Sequence, residues 1–300
     1  MQGLILLDKP ENITSFGTVA RIKRLAGEKR VGHTGTLDPM ATGVLPVLLG
    51  RATALSGLLL DADKRYTAAV KLGVATDTDD ITGNIISESQ VNITNEQLGD
   101  ALKAFTGTLM QRPPMYSAIK KDGVRLYKLA REGKTAEVEA RKVEIFSVNL
   151  ISPLNAENVF EIDVHVSKGT YIRSLARDIG EYLGCGACLT ELRRTYTGGF
   201  SLENCVSLDS LNDQNIGEYI ISEERAVGYL REVFVTEKQA VRFCNGGQLD
   251  LDRLKIKDFT DGELVRVKTT DKFLGIGVAE LAKNQLAIKC IINYPGEVSL

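Results

Sequence analysis

The sequence predicts an α+β protein with a mixed, largely antiparallel sheet and a small β-rich module at its C-terminal end. Three observations carry that expectation. In VFEIDVHVS (159–167), Phe160, Ile162, Val164 and Val166 alternate with Glu161, Asp163 and His165, the period-two pattern of a half-buried strand. Helix-period apolar runs lie between such strands, but without the strand–helix–strand rhythm of a parallel sheet. After about residue 232 the texture changes to one short helix followed by three short strands.

Taken in order, Thr14-Ser15 offers a helix N-cap before Phe16, Val19, Ile22 and Leu25, which recur every three residues. YTAAVKLGV (66–74) and VEIFSVNLI (143–151) read as strands. Thr94 with Gln97 makes a capping box, and Leu98, Ala101, Leu102 and Phe105 form the apolar face behind it. Leu175, Ala176, Ile179 and Leu183 make another helix, closed by Gly184. His165 falls on the polar side of its strand and reads as solvated. DSLNDQNIGEYI (209–220) reads as a connecting helix. FVTEKQAVRFCNGGQL then gives one helix ended by Gly246-Gly247, and LVRVKTT, FLGIGVAEL and LAIKCII give three strands.

A chain of 300 residues suggests about two domains. With 43% hydrophobic and 25% charged residues it can bury a sizeable core. Net charge of −2 argues against a uniformly basic nucleic-acid protein but allows a local basic face. The apolar run Leu4–Leu7 is too short for an export signal or a membrane span, so a cytoplasmic protein is expected, with no membrane partner. Five cysteines without an export signal point to reduced thiols. Cys185 and Cys188 lack the second pair that a zinc site wants, so no metal is expected.

Basic residues are concentrated in two runs. Arg112, Lys120, Lys121, Arg125, Lys128, Arg131 and Lys134 lie between Gln111 and Thr135, with Tyr116 and Tyr127 among them. Lys9, Arg21, Lys23, Arg24, Lys29 and Arg30 form the other. Cations attract phosphates and aromatic rings stack on unpaired bases. Near the second run lies GHTGTLDPMATG (32–43). It is neither a phosphate loop, since no Gly-Lys follows, nor a dinucleotide fingerprint, nor a Ser elbow. What remains is Asp38, pushed toward an extended conformation by Pro39 and framed by Gly32, Gly35 and Gly43.

GHTGTLDPMATGVLPV resembles the catalytic segment of the bacterial tRNA pseudouridine synthases of the TruB family, which modify the T-arm uridine. Further matches follow in chain order: LLDKPENITS, KRYTAAVKLGVATDTDDITG, RPPMYSAIKKDGVRLYKLAREG and SKGTYIRSLARDIGEYLGCGACLTELRRTYTGGFSL. They run from about residue 3 to 210. The tail is similar to the family's small RNA-contacting domain. One departure is Asn12, where the DKP motif carries Gly; Asn is the best replacement at a positive φ.

The resemblance implies a pseudouridine-synthase domain over 1–231, with a thumb at about 120–142, and a PUA-like domain over 232–300. It implies isomerisation of uridine 55 in the tRNA T stem-loop, with no cofactor, no obligate protein partner and a monomeric state. Asp38 is the implied catalytic carboxylate, with Arg173 opposite it and Tyr66 stacking on the base and moving a proton. By the same resemblance, Tyr171 and Leu192 would contact the uracil, and His33 would fill the space that the flipped base leaves. If 170–173 were extended, Tyr171 and Arg173 would face one side. Lys9 and Pro10 brace the turn. Lys120, Lys121, Arg125, Lys128 and Arg131 would grip RNA. Attack at C1′, attack on the base and proton removal from C2′ all stay open for Asp38. A non-catalytic tRNA-binding or tRNA-folding protein is the alternative; it would have no need of the trio Asp38, Tyr66 and Arg173.

Overall fold

The computed structural model describes residues 1–117, 119–121, 123–126 and 138–295. In chain order come β1 (Gly3–Lys9), α1 (Ser15–Leu25), β2 (Val31–His33), β3 (Thr42–Leu49), α2 (Ser56–Leu60) and β4 (Lys64–Leu72). β5 (Val74–Thr76) and β6 (Ile85–Glu88) form a hairpin, followed by α3 (Asn95–Ala104) and β7 (Gly107–Gln111). β8 (Lys120–Lys121) and β9 (Val124–Arg125) form a second hairpin. Then come β10 (Arg141–Ser152), β11 (Val159–Val166), α4 (Ile172–Tyr182), β12 (Ala187–Thr197), β13 (Phe200–Ser201) and β14 (Val206–Ser207).

These strands build one large sheet in the order β14-β1-β3-β12-β4-β11-β10-β7, with β2 on β3 and β13 on β12. Its pairings are antiparallel except β1 with β14 and β12 with β3, so the sheet is mixed and largely antiparallel, as expected. The alternation read from β11 is real: Phe160, Ile162, Val164 and Val166 are all fully buried. Val19 and Ile22 of α1, Leu98 and Leu102 of α3, and Leu175, Ala176 and Ile179 of α4 pack with them into the main core. Thr14 caps α1, and the Thr94–Gln97 capping box opens α3.

The C-terminal sheet is built from β15 (Arg231–Phe234), β16 (Leu249–Asp250), β17 (Leu264–Lys268), β18 (Phe273–Glu280) and β19 (Gln285–Ile291), in the order β15-β17-β18-β19-β16. A short α5 (Glu223–Ala226) precedes it and α6 (Glu237–Cys244) packs within it. β1 joins the two sheets. Its Ile5 and Leu7 enter the main core, whereas Leu4 and Leu6 pack toward Ala226, Val227, Phe273 and Ile276. That two-sided burial explains the continuous apolar run at the N-terminus. No helix among the described residues is long and apolar enough to cross a membrane.

Three expectations are corrected. Phe16 is 79% exposed, not part of the α1 core face. Steps of three residues lag the helix turn by about 60° each, so Phe16 drifts off the stripe that Val19 and Ile22 bury. Residues 209–220 do not form one helix but two 3₁₀ turns, Leu208–Ser210 and Ile216–Tyr219. Side chains there satisfy the backbone locally: Asn212 Oδ1 accepts from Gln214 N and Asn215 N, and Asn215 Oδ1 accepts from Asn212 N. His165 is not simply solvated. Its Nε2 pairs with the Asp63 carboxylate, and its ring lies 4.8 Å from that of Phe146.

One close approach decides how β3 meets β12. Gly43 has φ 101°, and a Cβ there would collide with the Arg194 main chain. Gly43→Ala is therefore expected to lower the unfolding free energy by about 3 kcal/mol in denaturant melts. An unchanged midpoint would show that the two strands are not pressed together here.

Candidate active site

Strand register places the site. Lys9 of β1 lies opposite Gly43 of β3, Gly43 opposite Arg194 of β12, and Arg194 opposite Tyr66 of β4. Residues directly opposed across a sheet present their side chains to one face. Lys9, Arg194 and Tyr66 thus share a face, and Leu192, opposite Ala68, lies two residues along on the same side. All four of those side chains are buried. The loop between β2 and β3, which carries Asp38, lies against this face.

The loop has few backbone hydrogen bonds of its own, so other groups hold it. Ser15 Oγ donates to Leu37 O at 3.0 Å and accepts from Leu37 N at 2.8 Å. Asn12 N donates to Pro39 O at 2.8 Å, with Asn12 at φ 65°, the positive value anticipated for it. Lys9 Nζ donates to Pro10 O and Ile13 O at 2.8 Å and to Pro39 O at 3.3 Å. Three acceptors match the three protons of an ammonium. Burial pulls Lys9 down to about 8, opposed by the charges of Asp38 and Glu11, so it is still protonated at neutral pH.

Arg173 comes from the first turn of α4. The helix starts at Ile172, with Tyr171 as its N-cap in extended geometry. Tyr171 and Arg173 therefore do not alternate along a strand, contrary to the sequence-based geometry. Instead the Gln111 side chain grips the Tyr171 backbone, donating to its O at 3.1 Å and accepting from its N at 2.8 Å. Arg173 meets Asp38 with two prongs: Nε to Oδ2 at 2.9 Å and Nη2 to Oδ1 at 3.2 Å. Its remaining donors reach Thr78 O at 3.0 Å and Tyr116 O at 2.8 Å, and Asp80 Oδ2 lies 3.6 Å away.

The Arg173 side chain is 5% exposed and that of Asp38 is 32% exposed. A carboxylate partly open to solvent but otherwise enclosed by protein loses hydration. Burial therefore lifts Asp38 above its usual range, and the Asp80 charge adds to the rise. Arg173 pulls the other way, as anticipated, with Lys9 assisting, but burial outweighs them. A carboxylate with raised pKa is a better base and a better nucleophile than an exposed one.

With this geometry in place, comparison with known proteins decides the family. The model of the TruB family pseudouridylate synthase N-terminal domain matches residues 23–172, and that of the tRNA pseudouridylate synthase B C-terminal domain matches 173–241. A tRNA pseudouridine synthase B of Clostridium tetani (strain Massachusetts / E88) is 44% identical over 282 residues, covering 92% of this chain and 95% of its own. The chain belongs to the TruB family. It is a pseudouridine synthase, an isomerase. A second relative, tRNA pseudouridine synthase B of Geotalea uraniireducens (strain Rf4), is 42% identical over 289 residues, 94% of this chain and 93% of its own.

Two solved structures share the fold of this TruB-family chain. A chain of a Cbf5-Nop10-Gar1 complex superposes with TM-score 0.76 and 29% identity, covering 97% of this chain and 85% of that one. A chain of an H/ACA RNP bound to a substrate RNA containing 2′-deoxyuridine gives 0.75 and 26%, covering 98% and 86%. The two family models meet at residues 172 and 173, inside the first turn of α4, which connects β11 to β12 of the large sheet.

Other residues singled out by the TruB motifs stand as follows. His33 ends β2, partly exposed, with Nδ1 buried and without a hydrogen-bond partner among the described residues. Burial, then the charge of Arg194, lower its pKa, so the ring is neutral. Burial raises the pKa of the Tyr171 phenol. Lys120 opposes Arg125 across the β8–β9 hairpin; for these two and Lys121 only the backbone is described. Lys128 and Arg131 lie outside the described residues.

Sequence reasoning missed Asp80, Gln111, Ser15 and Arg194. Asp80 is one of three acids in TDTDD, and nothing in that string says which one turns inward. Its carboxylate accepts from Thr78 Oγ1, Thr82 N and Thr82 Oγ1. Asp79 pairs instead with Arg177 at 2.9 Å, and burial lifts it to about 6. The brace at Lys9 can be tested directly. Lys9→Met leaves the partly buried carbonyls of Pro10 and Ile13 without their donor, and chemical denaturation should show a loss of roughly 2–3 kcal/mol. A variant as stable as the parent would mean that these carbonyls find other donors.

Proposed function

We propose that this protein converts uridine 55 in the T arm of tRNA to pseudouridine, with Asp38 as the reacting carboxylate. The observation that carries the reading is the two-pronged pairing of buried Arg173 with Asp38 on a loop clamped from several sides. The names of the relatives support tRNA as substrate, and the bound RNA in one structural relative supports an RNA cleft.

In the proposed reaction the N1–C1′ bond of the uridine breaks, the ring turns, and C5 bonds to the same C1′. The C5 proton leaves to solvent and N1 gains one, so the net change is an isomerisation. Asp38 serves by attack at C1′, by attack on the base, or by taking the C2′ proton. The fixed carboxylate suits all three. No cofactor takes part in the proposed scheme.

The target base lies in a folded loop and must be flipped out, at a cost of a few kcal/mol. In this proposal Tyr66 stacks on the extruded uracil, Tyr171 and Leu192 border it, and the neutral ring of His33 fills the space it leaves. Lys9 and Pro10 hold the catalytic turn. Lys120, Lys121, Arg125, Lys128 and Arg131 hold the RNA stem from the thumb at about 120–142. We place the boundary between the catalytic domain and a PUA-like RNA-contacting domain at residues 231 and 232. The proposed protein acts as a monomer in the cytoplasm.

Tritium release from [5-³H]uridine in a T-arm minihelix, scored by position, is the test. The parent protein should release tritium from the residue-55 equivalent alone. Asp38→Asn should release none while its dissociation constant for tRNA stays within a few-fold of the parent; normal turnover by this variant would remove Asp38 from its role. Reversing charge at Arg125 and Lys128 should weaken binding and flatten the log–log salt dependence by about one unit for each phosphate no longer gripped. Unaltered affinity and salt dependence would rule out the thumb's grip on RNA.

A further inference from the structure

Arg194 is the largest fully buried side chain described, 1% exposed, and no carboxylate pairs with it among the described residues. Its donors go to main-chain carbonyls. Nε donates to Val44 O at 2.7 Å and Nη2 to Gly35 O at 3.2 Å. Those carbonyls flank the Asp38 loop, one on each side. The Arg194 backbone also presses on Gly43, where no Cβ would fit. A single residue thus touches the loop near its beginning and twice at its end.

The neighbouring arginine shows how unusual this is. Arg193 faces the other side of the sheet, partly exposed, where it pairs with Asp8 at 2.6 Å and donates to Thr42 Oγ1 at 3.1 Å. That is an ordinary ion pair. Arg194, by contrast, carries a permanent charge into a dry site already holding Lys9 and Lys64. Its charge adds to burial in lowering both lysines to about 8. An apolar side chain would fill the same volume without that unfavourable repulsion. What an apolar chain, or a lysine, does not have is a planar fork whose Nε and Nη2, held apart in one plane, reach Val44 O and Gly35 O together.

We propose that Arg194 is a positioning residue: its guanidinium fixes the span between Gly35 and Val44, and so holds the Asp38 carboxylate in place against Arg173. The inference rests on the reading of Asp38 as the reacting carboxylate. Arg194 acts through the loop backbone and needs no contact with the uridine.

The test is Arg194→Lys, which keeps the charge but removes the fork. Its single-turnover rate of isomerisation should fall by about 30-fold or more, as a misplaced group would cause. Its tRNA dissociation constant should stay within about 3-fold of the parent, a loss of chemistry rather than binding. Amide exchange should quicken over residues 35–44 and stay unchanged in β4 and β11. A parental rate overturns the proposal. So does a rate loss accompanied by weaker binding and faster exchange across the whole sheet, which marks a general core residue. Should the lysine variant fail to fold, Gly35→Ala probes the same contact from the other side. Its new methyl would stand 3.3 Å from Arg194 Nη1 and would also strain the loop backbone at φ 104°, so the same selective loss is expected. Asp38→Asn separates the two failures. Normal turnover there sinks the reading of Asp38. An inactive Asp38→Asn beside fully active Arg194→Lys and Gly35→Ala sinks only the role of Arg194.

Discussion

A buried guanidinium has five N–H donors and no means of shedding its charge. Arg173 meets that constraint with one carboxylate in two-pronged contact, a second nearby, and carbonyls from two separate loops. The four partners come from three parts of the chain: Asp38 before β3, Thr78 and Asp80 after β5, and Tyr116 beyond β7. The start of α4 therefore gathers segments that would otherwise be independent. Removing one partner leaves a buried charge incompletely satisfied, which costs several kcal/mol. The same arrangement sets a cation against an aspartate whose pKa burial raises.

The loop that presents Asp38 follows a related logic. It is not a helix or a strand, so it cannot satisfy its own backbone. Lys9, Arg194 and Ser15 supply the missing partners, and two of those are buried cations bonded to carbonyls rather than to acids. Cations held this way rigidify a turn without neutralising its charge. A loop clamped to the sheet row Lys9–Gly43–Arg194–Tyr66 inherits the stiffness of the sheet. A rigid frame is what a reacting group needs when the substrate base must be brought to it.

Much of this was legible in the sequence where the signal is local or periodic. The alternation of β11, the Thr94–Gln97 capping box and the apolar stripe of α4 each follow from spacing alone. Asp38 and Arg173 became legible only through the family resemblance, because they are 135 residues apart and no periodicity links them. The rest failed for physical reasons. Arg193 and Arg194 are adjacent and identical in chemistry, and only strand register sends one to solvent and the other to the core. Asp77, Asp79 and Asp80 differ only in how the turn folds, with Asp79 at φ 62°. Tyr171 and Arg173 look like alternating strand residues until Gln111, 60 positions earlier, fixes Tyr171 as a helix cap. In residues 209–220, Asn and Ser side chains compete with the helix for backbone partners, and the competition is decided by geometry that composition does not carry.

An ionised Asp38, held by Arg173, does the chemistry in this scheme. The pH dependence of the single-turnover rate tests it, comparing the parent protein with Arg173→Lys. Protonation of Asp38 removes activity as pH falls through its folded-state pKa, which burial has raised above the ordinary 3.8. The parent should therefore show an acid limb above that value. Arg173→Lys cannot make both prongs to the carboxylate, so the limb should move to higher pH while tRNA affinity changes little. Acid limbs that coincide in the two proteins would contradict this role for the pair.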